Sequence, residues 1–322
     1  MLLPPPPGII RSLRTGFDTV AAHITAILLP FAFDLFLWLG PHLSISQLFL
    51  STLGDAKKMF ADSGVSLTDI QKLDQVQESL NQVNLFSSLR TFPIGLPSLI
   101  SGKGSAQTPL GAPLTFQVDT VFHFYGLIFL FLIAGWILGG LYFRWIAGLI
   151  AKSDSQISVG RTLIQTLAYS LIWSLLFWIL GIPAAFIIYL IYMFNPLIGE
   201  GALLFLGFLS MWLVVPIFFS SFGMFVRKQN AVDSIIASFR MSRFIMPSSS
   251  LFVLTVLIIG IGSNLLWAVP PDNSWLTLVG ILGHAFITTA LLASSFVYYS
   301  DMTVWLQTVL DRMRSSMPTQ QV

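Results

Sequence analysis

Six apolar stretches, each about as long as a helix needs to cross a bilayer, divide this sequence, and the basic residues between them collect on one side. They run from Thr19 to Leu39, Val121 to Phe143, Ile164 to Tyr192, Ala202 to Phe225, Leu251 to Val269 and Trp275 to Tyr298. A hydrocarbon core about 30 Å thick takes roughly 20 helical residues. The expected fold is therefore an all-α polytopic membrane protein with six transmembrane helices, at 19–40, 121–143, 164–192, 202–225, 251–269 and 275–298. With 55% hydrophobic and 9% charged residues, a water-soluble fold would expose far too much apolar surface.

Charge orients the spans. Placing residues 1–18 in the cytoplasm puts eleven of the sixteen basic residues on that side, in 1–18, the inner loop 144–163, the stretch 226–250 and the tail 299–322. The short opposite loops, Asn195 to Gly201 and Pro270 to Ser274, hold no basic residue and carry Glu200 and Asp272. The other five basic residues lie in the long insertion 41–120, and long translocated segments escape the charge rule. Both termini are thus expected in the cytoplasm of a cell with this protein in its plasma membrane. The opening MLLPPPPGIIRSLRTGF reads as an uncleaved anchor rather than a secretory signal, because prolines precede Arg11 and Arg14 and the following run is of spanning length.

Three spans carry bending points. Thr162 to Phe194 is uncharged over 33 residues, about 50 Å of helix. It must tilt or lay its first turns in the interface, with Gly181 and Pro183 as the place to bend. Pro30 and Pro216 offer kinks in the first and fourth spans.

Outside the hydrocarbon, the insertion 41–120 opens with two helical patterns. Ser44 to Asp62 places Ile45, Leu48, Leu53 and Phe60 at helical spacing before Gly64, a C-terminal stop. Ser66 with Asp69 three residues on resembles an N-cap and its box partner for a second helix to Val83, and the two predict a hairpin. From Thr91 to Val118 the period dissolves among Pro93, Pro97, Pro109 and Pro113. This stretch reads as an irregular lid on the outer rim, or as a floppy connector. On the inner side, Gln229 to Met246 predicts an amphipathic helix, with Val232, Ile235, Ile236 and Phe239 on one face, Arg240 and Arg243 reaching for head groups or a partner, and a break at Pro247. RSLRTGF aligns with DSIIASF, Ser12 on Ser234 and Phe17 on Phe239, and Ile157 to Ala168 is a weaker third copy. This suggests a repeated surface helix leading into paired spans.

One acidic residue, Asp34, lies well inside a run. An ionisable group there is a functional candidate. At about 100° per residue, His23, Pro30 and Asp34 share a helix face, and His123, Asn264 and His284 could complete a polar intramembrane path. Alternatively, Asp34 braces neighbouring backbone or reaches head groups. Gly135 and Gly139 form a GxxxG that admits another helix closely, inside the bundle or in a homodimer. Ala285, Thr289 and Ala293 form a similar seam.

Catalytic signatures are missing. HExxH, GxSxG, GxxxxGK[ST] and a dinucleotide fingerprint are all absent, and with four histidines and no cysteine no metal, cofactor or catalytic residue is expected. The balance of 16 basic against 14 acidic residues gives no concentrated basic face for nucleic acid. The expected partners are lipid, a membrane protein or a second copy.

The stretch AVDSIIASFRMSRFIMPSSSLFVLTVLIIGIG, a surface helix followed by a membrane span, resembles a loose group of bacterial six-span families. One is the membrane domain fused to some glycerophosphodiester phosphodiesterases. The resemblance covers the spans but not 41–120, and it implies a helical membrane module, since the phosphodiesterase chemistry of those fusions resides in a separate soluble domain. The topology is also similar to permease subunits of ATP-binding-cassette exporters. The loop FRWIAGLIAKSDSQISVGRT, however, lacks the glutamates that such permeases often carry after the second span. The leading expectation is a non-enzymatic accessory or scaffold module that binds lipid or a partner, and the alternative is a permease subunit.

Overall fold

Backbone groups inside hydrocarbon have no water to bond, so a spanning chain of this composition is driven to pair them within helices. The computed structural model describes residues 5–62, 67–103, 107–151 and 157–315, and the chain is 80% helical. It is an all-α polytopic membrane protein. Among the described residues five helical stretches are long and apolar enough to cross a membrane: Val121–Ile150, Val159–Phe194, Pro196–Val226, Ala231–Trp267 and Leu276–Met313. A bent pair, Ile9–Ala22 with Ile24–Leu39, makes six if it counts as one span.

That pair puts the bend of the first run at His23 rather than at Pro30, the expected kink site. Helix α1 (Ile9–Ala22) stops at His23, which leaves helical geometry at φ −127°, ψ 60°. A 3₁₀ turn, Ile24–Ile27, leads into α2 (Leu28–Leu39), with a bend of 95° at the break. Because α2 begins at Leu28, Pro30 sits in its first turn, where its missing N–H is not needed, and does not kink the helix. The third run is continuous. Helix α6 (Val159–Leu176) passes through a π-helical turn at Phe177–Gly181 into α7 (Ile182–Phe194), the wider turn accommodating Pro183. The helical stretch from Ala231 to Trp267 is two helices joined across a kink, with Ile245 out of helical geometry (φ −127°, ψ 20°) just before Pro247, where the sequence places the break.

Two compact units divide the chain: Thr25–Tyr142 with Ile261–Thr288, and Met1–Ile24 with Phe143–Gly260 and Thr289–Val322. The first contains the insertion. Helices α3 (Ser46–Asp62) and α4 (Leu67–Gln82) pack on each other. Lys57 Nζ lies 2.7 Å from Asp74 Oδ1 and donates to Gln77 Oε1 at 2.7 Å. The expected caps Gly64 and Ser66, and the side chain of Asp69, lie outside the described residues. Two three-residue strands, β1 (His42–Ser44) and β2 (Thr115–Gln117), pair in parallel with His42 opposite Thr115. Ile45, Leu85 and Val118 form a buried cluster, against which Phe124, Leu127 and Ile128 of α5 (Val121–Ile150) pack.

The stretch after Thr91 is anchored in its first part, while Leu110 and Leu114 farther along are exposed. Ile94, Leu96, Leu99 and Ile100 are buried, and the segment runs against α5. A Cβ on Gly135 would strike the carbonyl oxygen of Leu89, and one on Gly139 would lie 2.5 Å from the Cα of Gly95. The GxxxG gap therefore receives irregular backbone rather than a second helix. Gly139 lies 18 residues into α5, about 27 Å along its axis, so the non-helical chain penetrates far along a spanning helix. Such chain is tolerated beside lipid only where protein surrounds it.

In the second unit, three helices each bury a stripe at positions i, i+4 and i+8 that is made of small residues apart from Val20. They are Ser12, Gly16 and Val20 on α1, Thr162, Thr166 and Ser170 on α6, and Ser234, Ser238 and Ser242 on α10 (Ala231–Trp267). These are the segments aligned above as a repeat. On α10 the stripe closes the end of α8 (Pro196–Phe219), which the short helix α9 (Phe222–Val226) follows. There Ser220 N–H turns to Ile217 O at 3.2 Å, freeing the Pro216 carbonyl, which accepts Ser238 Oγ at 2.6 Å, while Ser234 Oγ donates to Ser220 O at 2.6 Å. On α1, Gly16 lies directly against Ser294 of α11 (Leu276–Ser315). Small residues permit the approach, and on α10 the Ser234 and Ser238 hydroxyls satisfy carbonyls that hydrocarbon would strand, whereas Thr166 Oγ1 and Ser170 Oγ on α6 are buried without a hydrogen-bond partner.

Two outcomes follow. Gly139→Ala should lower the thermal midpoint in detergent, by about 1–3 kcal/mol of stability, because backbone rather than a flexible side chain stands in the way. Gly126→Ala, whose new methyl meets open space in the same helix, should change little. His42 is held below its ordinary pKa by burial, partly offset by its hydrogen bond to the Leu37 backbone. The unfolded chain then binds this proton more readily than the fold does, so His42 favours the fold above about pH 6.5 and loses that contribution as pH falls below it. The midpoint of the native chain should drop more between pH 7.5 and 5.5 than that of His42→Gln, and parallel curves would contradict this.

Candidate functional site

The apolar period of α2 buries Pro30, Phe33, Asp34, Leu37 and Trp38 on one face, and a carboxylate on that face must find donors. Asp34 is 0% exposed. Its Oδ1 accepts the hydroxyl of Ser98 and the Ile100 N–H at 3.2 Å, and its Oδ2 accepts the Leu99 N–H at 2.9 Å. Ser98 Oγ in turn accepts the Ser101 N–H at 3.0 Å. The carboxylate thus caps the turn at Ile100–Gly102, as an N-cap residue caps a helix. His284, 4% exposed, brings Nδ1 to 3.7 Å from Oδ2, beyond hydrogen-bond reach but near enough to attract the carboxylate when protonated. Close by, Lys103 Nζ donates to Ala268 O at 2.9 Å and forms a 3.0 Å ion pair with Asp272. Trp38 Nε1 donates to Asp272 O at 2.8 Å.

Of the expected polar path, the structure joins Asp34 and His284 alone. His23 is exposed, with Nδ1 3.0 Å from Thr19 O, and the break beside it removes the continuous helix face it was to share with Asp34. His123 and Asn264 are also exposed on their helices. Ser98 and Lys103, which sequence reading passed over, are the residues that complete the arrangement. A hint was available in Ser98-Leu-Ile-Ser101, a hydroxyl residue before an apolar pair.

A second site lies in the other unit. The turn at Arg227–Asn230 is held by α6, as Arg161 Nη2 donates to Lys228 O at 2.6 Å and Gln165 Oε1 accepts the Ala231 N–H at 2.7 Å. Lys228 adopts a left-handed conformation, φ 55°, reversing the chain into α10. A groove of about 470 Å³ opens beside this turn, lined by Arg227, Gln229, Asp233, Ile236, Ala237, Arg240, Met241 and Phe244, and by Tyr299, Thr303, Leu306 and Leu310 of α11. On α10 the lining residues recur at helical spacing and so form one face. Arg240 thus belongs to the groove, whereas Arg243 is exposed outside it. Among the described residues no group of three His, Asp or Glu side chains could hold a metal ion.

Compared with protein-family models, curated proteins and solved structures, the chain matches none.

The bracing geometry of Asp34 has a direct consequence. Asp34→Asn keeps the shape but replaces one acceptor by an amide donor facing a backbone N–H. It should cost about 2–4 kcal/mol, seen as a lower midpoint in detergent and faster proteolysis between Thr91 and Lys103. Ser98→Ala should show the same effect more weakly. An Asp34→Asn protein as stable as the native one would remove the bracing role.

Proposed function

We propose that this integral membrane protein is a non-enzymatic accessory or scaffold module of the plasma membrane, binding lipid or a partner protein on its cytoplasmic side, with both termini in the cytoplasm. The observation that carries the reading is the engagement of Asp34. The carboxylate a transport path would use has both oxygens occupied by Ser98, Leu99 and Ile100. A permease reading needs that group free to meet a substrate or proton. Among the described residues, the groove flanked by Arg227 and Arg240 is open to ligands, on the basic loop that the charge rule assigns to the cytoplasm. The orientation requires the bent pair Ile9–Ala22 and Ile24–Leu39 to cross once, giving an even number of passes. The resemblance to six-span modules found beside separate catalytic domains fits an accessory role.

The native chain has no cysteine, so single introduced thiols report sidedness cleanly. Asn273→Cys should react with an impermeant maleimide on intact cells, and Thr308→Cys only after permeabilisation. Labelling of Thr308→Cys from outside would end the orientation. Purification from mild detergent free of both lipid and protein would remove the binding role.

A further inference from the structure

We infer that the groove between α10 and α11 is a headgroup site for a glycerophospholipid that carries one phosphodiester charge and a hydroxyl-bearing headgroup, the phosphatidylglycerol class. The inference rests on the lipid-binding reading above and gives it a specific ligand. Four features of the groove select this chemistry.

The first is charge. Arg227 and Arg240 are both exposed at the groove, and among the described residues neither is in a salt bridge. Guanidinium groups suit phosphate oxygens because their planar donor forks match them. The second is Asp233, which shares the same wall. Two arginines and one aspartate leave a single net positive charge, which balances one phosphodiester. A phosphomonoester dianion would meet the carboxylate as well, and a choline headgroup would bring a cation toward the arginines.

The third feature is an unanswered polar atom. Gln229 lines the groove, and its Oε1 is buried with no hydrogen-bond partner. Beneath it, a Cβ on Gly223 would meet Gln229 Oε1, Ser234 Oγ and Tyr299 OH, so the amide, a serine and a tyrosine converge over a glycine. A buried amide oxygen without a partner costs stability that a ligand's donor can recover. A hydroxyl both donates and accepts, so it answers the amide in either orientation. Glycerol hydroxyls supply this, and neither a choline nor a bare phosphate ester does.

The fourth is the apolar remainder. Ile236, Met241, Leu306 and Leu310 line the same space, and Phe244 is 69% exposed. Some 470 Å³ is within the range of small-molecule sites. It suits a headgroup with its glycerol backbone, leaving the acyl chains to continue along Phe244 into the leaflet.

Native mass spectrometry of the delipidated full-length protein tests this, with phosphatidylglycerol, phosphatidic acid and phosphatidylcholine of identical chains added in turn. A single phosphatidylglycerol adduct should survive activation that strips the other two. Arg227→Gln and Arg240→Gln should each lower its occupancy roughly tenfold. Gln229→Leu should narrow the preference for phosphatidylglycerol over phosphatidic acid, and Arg243→Gln, outside the groove, should change nothing. Monodisperse elution of each variant checks folding, and should one arginine variant fail it, the other decides.

Equal retention of phosphatidylcholine, an equal loss with Arg243→Gln, or displacement by soluble glycerol phosphate would overturn the proposal. So would a protein dimer that excludes the lipid. These readings do not depend on sidedness, so they can fail while the maleimide result stands, and the reverse.

Discussion

A carboxylate with no solvent exposure holds irregular chain against spanning helices, and much of the first unit depends on it. Stripping water from Asp34 would cost several kcal/mol were its oxygens not filled by a hydroxyl and two backbone N–H groups. The benefit runs both ways. The turn at Ile100–Gly102 needs acceptors for its first N–H groups, just as a helix start does. With that end pinned, the chain from Leu89 to Gly95 can lie in the gap left by Gly135 and Gly139. Lys103 then ties the segment to the carbonyls that end α10 and to Asp272, a favourable place for a cation at a helix C-terminus.

The second unit solves the same problem with hydroxyls. Hydrocarbon offers helices no hydrophobic reason to associate, since lipid tails are as apolar as leucine. Their contact faces are accordingly small and polar: serine, threonine and glycine stripes on α1, α6 and α10. On the α7 and α8 hairpin large apolar side chains turn outward, as at Phe194, which is 91% exposed, whereas Phe219, Phe222, Phe252 and Phe296 fill the interior of the unit. Tyr169 OH, 2.5 Å from Ser220 Oγ, continues this polar seam, while Phe219, Phe252 and Tyr298 stack beside it. The groove lies where α10 emerges from the turn after Arg227, beside the serine-lined contact that closes α8.

Particular residues show why some of this was legible and some was not. The helical hairpin of the insertion could be read from its period, because amphipathic spacing is a local property. The aligned RSLRTGF and DSIIASF segments signalled a repeat on thin identity, and what they share proves to be a buried small-residue face. Asp34 stood out as an anomaly, but its partners lie more than sixty residues away, and the hydroxyl before an apolar pair at Ser98 does not by itself point to Asp34. The GxxxG was legible as a close approach. That a glycine of a loop, Gly95, would fill it depends on the path of a segment with no period of its own.

Sequence alone determined that the chain lives in a bilayer, how many runs could cross it and where its basic loops lie, because burial in hydrocarbon is decided residue by residue over a span's length. Only the tertiary structure decided which polar groups meet: that Asp34 is bound by Ser98, Leu99 and Ile100, that His23 faces away, and that Arg240 shares a groove with Arg227 while Arg243 does not. Such pairings depend on the three-dimensional approach of distant segments and on local breaks, such as the one at His23, that redirect a helix face. Neither leaves a trace in hydropathy.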